Sequence, residues 1–363
     1  MIRCLMLLML LIAVCVPGAQ SARQPASPSY PGHMAALGDS ITRAANADIH
    51  SDHIVYSWST GGRINSHATI IRRLFQPNLL ATNAAVSGTR MQALAAQAAT
   101  LPPTVDYVTI LMGGNDACGP SEATMTPVDE YRDQFAAGMA VLSQRLPDAR
   151  VFVSGNPNIL GLWEALHTDP EARAAWERDS KCQAMLANPT STAPADVARR
   201  QRVQQRLLDY NTQLAAVCAE FIHCRYEGGS LTATPVEAAS ASTLDYYHPS
   251  IAGQERLAAL TFIHTFDFAD PQPPQTTLSS AAGANSYTLT LAATDNVGLA
   301  GIEYRLNGGS WMRYTAPLAA PLGANVAYRA VDVNGVNEPT RIIAVPPVGL
   351  RTLFLPRLSA ERD

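Results

Sequence analysis

In Gly38-Asp39-Ser40-Ile41-Thr42 a serine hydroxyl lies just beyond a short apolar run, Met34 to Leu37. The glycine ahead of it lets the backbone turn sharply and present that hydroxyl to a bound substrate. Far downstream, Asp245-Tyr246-Tyr247-His248-Pro249 sets a carboxylate and an imidazole three residues apart. In one turn-like loop Asp245 can accept from one ring nitrogen while the other faces Ser40. A hydroxyl, a base and a carboxylate that orients the base make an activated nucleophile. Two further blocks, Asn83-Ala84-Ala85-Val86-Ser87-Gly88 and Gly113-Gly114-Asn115-Asp116, also follow apolar runs. A tetrahedral acyl intermediate develops an oxyanion that needs several preorganised donors. The Gly88 N–H, the Asn115 side-chain amide and the N–H of Ser40 itself are candidates. The chemistry implied is acyl transfer through a covalent intermediate. The chain order Ser, Asp, His is shared with another hydrolase fold, but the Gly-x-Ser-x-Gly elbow of that fold is missing around Ser40.

The elements that must position these residues follow from hydrophobic periodicity. Met34 to Leu37, Leu79 to Asn83, Val105 to Met112, Val151 to Ser154 and Phe221 to Tyr226 each read as a short buried strand. Helical patterns lie between them. The clearest runs from Pro127 to Leu146, with Thr126 at the cap and Tyr131, Phe135, Met139 and Leu142 at three-to-four spacing; another runs from Ile251 to Phe266. Such alternation predicts a parallel sheet with helices on both faces, and ligands bind outside the carboxyl ends of such strands. Composition shifts at the proline-rich stretch 269–275, which is expected to be a linker. Beyond it the period becomes two: Tyr287, Leu289 and Leu291, then Ile302, Tyr304 and Leu306, then Val326, Tyr328 and Ala330, with Asn307-Gly308-Gly309 as a hairpin turn. Residues 276–345 thus read as a small β-sandwich, which resembles the immunoglobulin-like modules of bacterial exported proteins. The segment 346–363 reads as a tail.

Taken together, the four chemical blocks between Ala35 and Phe266 resemble the SGNH/GDSL hydrolase family. The resemblance implies a flavodoxin-like three-layer α/β/α domain with a parallel sheet over residues 30–268, followed by the all-β module. It implies Ser40 as nucleophile, Asp245 and His248 as the rest of the triad, Ser40, Gly88 and Asn115 as oxyanion donors, and no metal or cofactor. Ile41 stands where the family's name has leucine, an apolar exchange without chemical consequence. Ser57-Trp58-Ser59-Thr60-Gly61-Gly62, with the blocks at Asn83 and Gly113, is similar to the phospholipase B-like branch, which cleaves lipid acyl esters.

Composition bounds the alternatives. Hydrophobic residues at 47% and charged residues at 15% describe a chain that folds. Arg3, the apolar run Leu5 to Val16 and Ala19-Gln20-Ser21 read as a signal peptide over residues 1–21, its apolar run too short to span a membrane. Its removal takes the net charge from −4 to −5, and no lysine-arginine block stands out, which argues against a nucleic-acid partner. A secreted location would oxidise the four remaining cysteines. Three pairings are open; Cys118 with Cys182 and Cys218 with Cys224 is favoured because the second pair brackets only a short turn-like stretch.

His50 and His53 have metal-ligand spacing but no third ligand stands out, so a polar loop is the expectation. The long stretch Asn156 to Arg200, with Trp163, reads either as a lid or acyl-chain wall, or as an extra helical hairpin pinned through Cys182. Trp58, Trp163 and Tyr247 are candidates to line the substrate pocket. A small-molecule or lipid ester is the expected substrate. A carbohydrate O-acetyl esterase whose β-module touches glycan is the alternative, and an inactive surface-binding protein is the alternative of another class.

Overall fold

The computed structural model describes residues 30–270, 272–347 and 357–358; the expected signal peptide and most of the expected tail lie outside them. Five parallel strands, β1 (His33–Gly38), β2 (Leu80–Asn83), β3 (Tyr107–Leu111), β4 (Arg150–Val153) and β5 (Cys224–Tyr226), form one sheet in the order β2-β1-β3-β4-β5. This is the flavodoxin-like order, which reverses direction between β1 and β3 and opens a crevice there. Every residue of the interior strands β1, β3 and β4 is buried, whereas the edge strands β2 and β5 are largely half-buried. Continuous apolar runs are what strands covered on both faces require.

Among the described residues ten α-helices accompany the sheet: α1 (His67–Leu74), α2 (Leu94–Ala99), α3 (Gly114–Ala117), α4 (Val128–Arg145), α5 (Ile159–Leu166), α6 (Pro170–Arg178), α7 (Gln183–Leu186), α8 (Pro194–Cys218), α9 (Ser230–Ala233) and α10 (Ile251–Phe262). Because strand side chains alternate, Ala35, Leu37, Val108 and Ile110 enter one core with Leu94, Phe135, Met139 and Leu207 of α2, α4 and α8. Met34, Tyr107 and Leu111 enter the other with Ile71 and Leu257 of α1 and α10, closed by Phe266 and Phe268. The three-layer α/β/α arrangement follows.

Boundaries differ from expectation where polar bonds intervene. Thr126 does not cap α4: its hydroxyl donates to Asp116 Oδ1 at 2.8 Å, and Pro127 begins the helix without a side-chain cap. The last strand starts at Cys224 because Cys218–Cys224 closes a turn in which Cys224 N–H donates to Phe221 O. Cys118–Cys182 is the other disulfide.

After the proline-rich stretch come antiparallel strands only: β6 (Gln275–Ala282), β7 (Ser286–Thr294), β8 (Leu299–Leu306), β9 (Met312–Arg313), β10 (Leu318–Pro321), β11 (Asn325–Asp332), β12 (Arg341–Ala344) and β13 (Arg357–Leu358). They form two sheets, β10-β7-β6 and β13-β12-β11-β8-β9, that share one apolar core of Tyr287, Leu289, Ile302, Val326 and Tyr328. Asn307 and Gly308 have φ of 51° and 76°, the positive values that a tight hairpin turn between β8 and β9 requires. The stretch read as tail contributes β13, an edge strand on β12. No helix among the described residues is long and apolar enough to cross a membrane.

The two cystines should stabilise unequally, since the constrained loops span 64 and 6 residues. Replacing Cys118 and Cys182 together by alanine should cost about 4 kcal/mol, and the Cys218 and Cys224 pair about 2 kcal/mol. Urea denaturation of the two double variants checks this; equal losses would contradict the loop-length argument.

Candidate active site

Ser40 stands two residues past the end of β1, at the start of a helix-like turn in which Arg43, Ala44 and Ala45 N–H groups bond back to Asp39, Ile41 and Ser40 carbonyls. Gly38 makes the turn feasible: its φ is +152°, and a Cβ there would collide with the Leu111 carbonyl and the Thr42 hydroxyl. The same glycine is clamped by Gln97, whose Oε1 accepts Gly38 N–H and whose Nε2 donates to Gly38 O, both at 2.9 Å.

His248 lies 208 residues away, yet its Nε2 is 2.8 Å from Ser40 Oγ and its Nδ1 is 2.5 Å from Asp245 Oδ2. Asp245 Oδ1 accepts the backbone N–H groups of Tyr247 and His248, each at 3.0 Å, so one carboxylate shapes the loop and holds the ring. The loop is closed by Ser242 N–H to His248 O and Tyr246 N–H to Ser242 O. Ser250, two residues past His248, caps α10 by accepting from Gly253 N–H and fixes the exit. Burial alone would raise the Asp245 carboxyl; the hydrogen bond and charge of His248, with the Asn46 amide at 2.7 Å, hold it well below the usual carboxylate range. The three side chains form a buried line of hydrogen bonds: Ser40 is 9% exposed, His248 7% and Asp245 2%.

The oxyanion candidates stand at the neighbouring strand ends. Gly88 is exposed, with φ +78°, in a loop tied to β1 by Val86 N–H to Gly38 O. Asn115, half-buried on α3, donates one amide hydrogen to Thr89 O at 3.0 Å, which leaves its second N–H to point elsewhere. Gly113 has φ +136°, and a Cβ there would overlap Asn156 and the Tyr131 hydroxyl. Asp116 locks α3 in place, accepting Met91 N–H at 2.9 Å and the Thr126 hydroxyl.

A family model for the GDSL-like lipase/acylhydrolase family matches residues 36–256, the span that carries all of these residues. The chain belongs to that family. Among solved structures the GDSL chain is similar to an alpha/beta hydrolase enzyme from the metagenome of Lake Arreo, Spain, at 16% identity over 64% of this chain and 94% of that one, TM-score 0.41. It is similar also to phospholipase A1 from Streptomyces albidoflavus NA297, at 17% identity over 65% and 100%, TM-score 0.40. A third is an acetylxylan esterase from Geobacillus stearothermophilus, at 15% over 66% and 96%, TM-score 0.41. No curated protein matches in sequence.

Beside the Ser40–His248–Asp245 line runs an apolar cavity of about 120 Å³, lined by Tyr247, His248, Ile159, Val236, Leu257 and Leu260. Of the three aromatic candidates only Tyr247 lines it. Trp58 is fully buried in the core against α1 and α10, where its indole N–H donates to Thr42 Oγ1 at 3.2 Å and its ring meets His67 edge-on. Trp163 turns the other way, donating to Pro189 O at 2.8 Å between His167 and the Arg200 guanidinium. His53 bonds Asp48 at 2.6 Å, and among the described residues neither it nor His50 joins a group able to hold a metal. The stretch Asn156 to Arg200 serves in part as wall, through Ile159 and Leu162, and in part as brace. In the latter role Trp176 Nε1 donates to Tyr246 O at 2.8 Å, and Glu171 accepts the Tyr246 hydroxyl at 2.6 Å.

Asn46, Gln97, Gln254 and Trp176 escaped the sequence reading, since a single polar or aromatic residue in a loop or helix carries no local signature. Asp39 had one, its place beside Ser40. It is 1% exposed, and burial, aided by Asp116 and opposed by the Ile41 N–H and the His248 charge, pushes its carboxyl up to about 6. A carboxyl whose native value lies above the unfolded one loses stability as pH rises. Between about pH 4 and 6 the native state keeps a proton that the unfolded chain has released, a loss reaching about 3 kcal/mol. Asp39→Asn, which retains an acceptor for Ile41, should remove that decline. Urea midpoints from pH 4 to 8 should converge differently for the two proteins; parallel curves would contradict the assignment.

Proposed function

We propose that this GDSL hydrolase is a serine carboxylic ester hydrolase, with Ser40 as nucleophile, His248 as general base and acid, and Asp245 as the group that orients the imidazole. The observation supporting it most directly is the continuous hydrogen-bond line Ser40–His248–Asp245, with distances of 2.8 and 2.5 Å. His248 Nε2 takes the Ser40 proton as Oγ bonds the ester carbonyl carbon; the alcohol then leaves with that proton. Water next attacks the acyl-enzyme and gives its proton to His248, and Ser40 regains that proton as the acid departs. Asp245 stays ionised throughout and stabilises the imidazolium. The N–H groups of Ser40 and Gly88 and the free hydrogen of the Asn115 amide are assigned to the oxyanion, a role in which one donor contributes roughly 10² to 10³ in turnover. Two disulfides, with the leader-like N-terminal sequence, favour an exported protein.

The cavity beside His248 is assigned to the acyl group. A cavity of about 150 Å³ holds a benzene molecule, so this one suits an acyl chain of about six carbons before a longer one reaches solvent. An ester of a short to medium carboxylic acid is therefore the favoured substrate, and the alcohol portion is unrestricted by the cavity.

Incubation with a fluorophosphonate probe should place an adduct on Ser40, located by mass spectrometry, and His248→Ala should abolish it. An unlabelled but folded protein would instead point to the inactive binding protein. For the acyl assignment, Val236→Trp narrows the cavity. Its kcat/KM should fall at least about 10-fold for p-nitrophenyl hexanoate while p-nitrophenyl acetate is little changed. A uniform fall across chain lengths would remove the cavity from the acyl path.

A further inference from the structure

Three carboxylates meet where the chain passes from the α/β half into the β-module. Asp270 stands near the start of the proline-rich stretch, Asp295 in the turn between β7 and β8, and Asp332 at the end of β11. One oxygen from each lies within 4.8 Å of the other two. Asp332 is fully buried, Asp270 is 6% exposed, and Asp295 is half-buried.

Their hydrogen bonds leave a deficit. Asp332 Oδ1 accepts Asn334 and Val336 N–H groups, both at 2.8 Å; Asp295 Oδ2 accepts Val297 and Gly298 N–H groups at 2.8 and 3.1 Å. Asp270 accepts Gln272 N–H on one oxygen and the Asn334 amide on the other. Asp332 Oδ2 and Asp295 Oδ1 are shielded from solvent and accept no hydrogen bond from the described residues. A buried carboxylate oxygen without a donor is costly, and a cation is the partner that such oxygens take instead. Arg150 of β4, stacked on Phe268, is attracted to Asp332 and Asp270 but also to Asp106.

We infer that Asp270, Asp295 and Asp332 form a binding site for one Ca²⁺ ion at the junction of the α/β half and the β-module. All three donors are carboxylate oxygens, the ligands of hard cations; no imidazole or thiolate is present to favour zinc or copper. Ca²⁺ binds oxygen at about 2.4 Å, so two ligands of one ion stand at most about 4.8 Å apart, the limit within which the three fall. Mg²⁺ takes the same oxygen ligands but demands near-ideal octahedral geometry, and so is the ion that Ca²⁺ must outcompete here. The two turns are already fastened to each other by Val333 N–H to Gly298 O at 3.0 Å, which holds Asp295 and Asp332 side by side. The ion would tie the chain leaving the α/β half to the module and so fix the module against it.

The test uses the full-length exported protein, stripped with chelator and titrated with CaCl₂ by calorimetry at pH 7.5. One ion per chain with a Kd on the order of 10⁻⁴ M is expected, with a rise in Tm that chelator reverses. Asp332→Asn should weaken binding at least about 10-fold. Asp295→Asn, at the more exposed member, should do the same and guards against a folding defect in the first variant. Hydrolysis of p-nitrophenyl acetate should stay unchanged in both, because the junction lies away from the triad. Absence of heat and of a Tm shift up to about 10 mM CaCl₂, well above that Kd, or binding that Asp295→Asn leaves intact, would overturn the proposal.

Discussion

The hydrogen bond between His248 Nε2 and Ser40 Oγ joins residues 208 positions apart, and it sets the tolerance for everything around it. Drift of more than about half an ångström in either loop would stretch it beyond hydrogen-bond length. The molecule meets that demand with short polar ties between the two loops. Asn46 donates to Asp245, the Ser242 hydroxyl donates to Asn46 O, and Gln254 of α10 donates to Ile41 O while accepting Trp58 N–H. Trp58 in turn holds Thr42, and Asn83 at the end of β2 donates to Thr42 O. Each tie is buried or half-buried, where a lost partner costs about 1–3 kcal/mol, so the loops move together or not at all.

The same constraint explains the insertion between β4 and α8. Cys118 ends the short helix that carries Asn115, and Cys182 opens α7 next to Lys181, whose ammonium lies 3.9 Å from Asp245. The disulfide thus connects the helix that carries Asn115 to the segment beside Asp245. Trp176 and Glu171 on α6 brace Tyr246, a residue held at φ +53° inside the catalytic loop. A non-glycine residue in that conformation persists only where its surroundings enforce it. The insertion supplies this enforcement, and in addition the wall of the apolar cavity.

The chemical blocks were legible in sequence because each lies at the end of an apolar run, and a parallel sheet gathers the carboxyl ends of its strands on one side. Neither Asn46 nor Gln97 could be found this way, since their roles depend on partners 199 and 59 residues distant. Trp58 misled for the opposite reason. Its neighbours suggested the site, yet a ring that large lowers free energy most by full burial, and its one N–H found Thr42. In the β-module the strands with strict apolar alternation, β7, β8 and β11, were legible; β6, rich in Thr, Ser and Ala, and the short β9, β10, β12 and β13 were not.

A parallel sheet has two chemically different ends, and this chain uses both. At the carboxyl ends of β1 and β3 the backbone leaves in sharp turns at Gly38 and Gly113, and the loop after β2 carries Gly88 to the same side. At the amino ends the surface is polar and fixed: Arg150 begins β4, and His223 sits just before β5. The β-module meets that second end. Arg313 donates to Ala219 O, Asn334 Oδ1 accepts Asp267 N–H, and the Gly335 turn rests on Arg150. Because the module docks there, its strands need satisfy no geometric demand of the reaction, and its buried acids at the junction are free to serve docking alone.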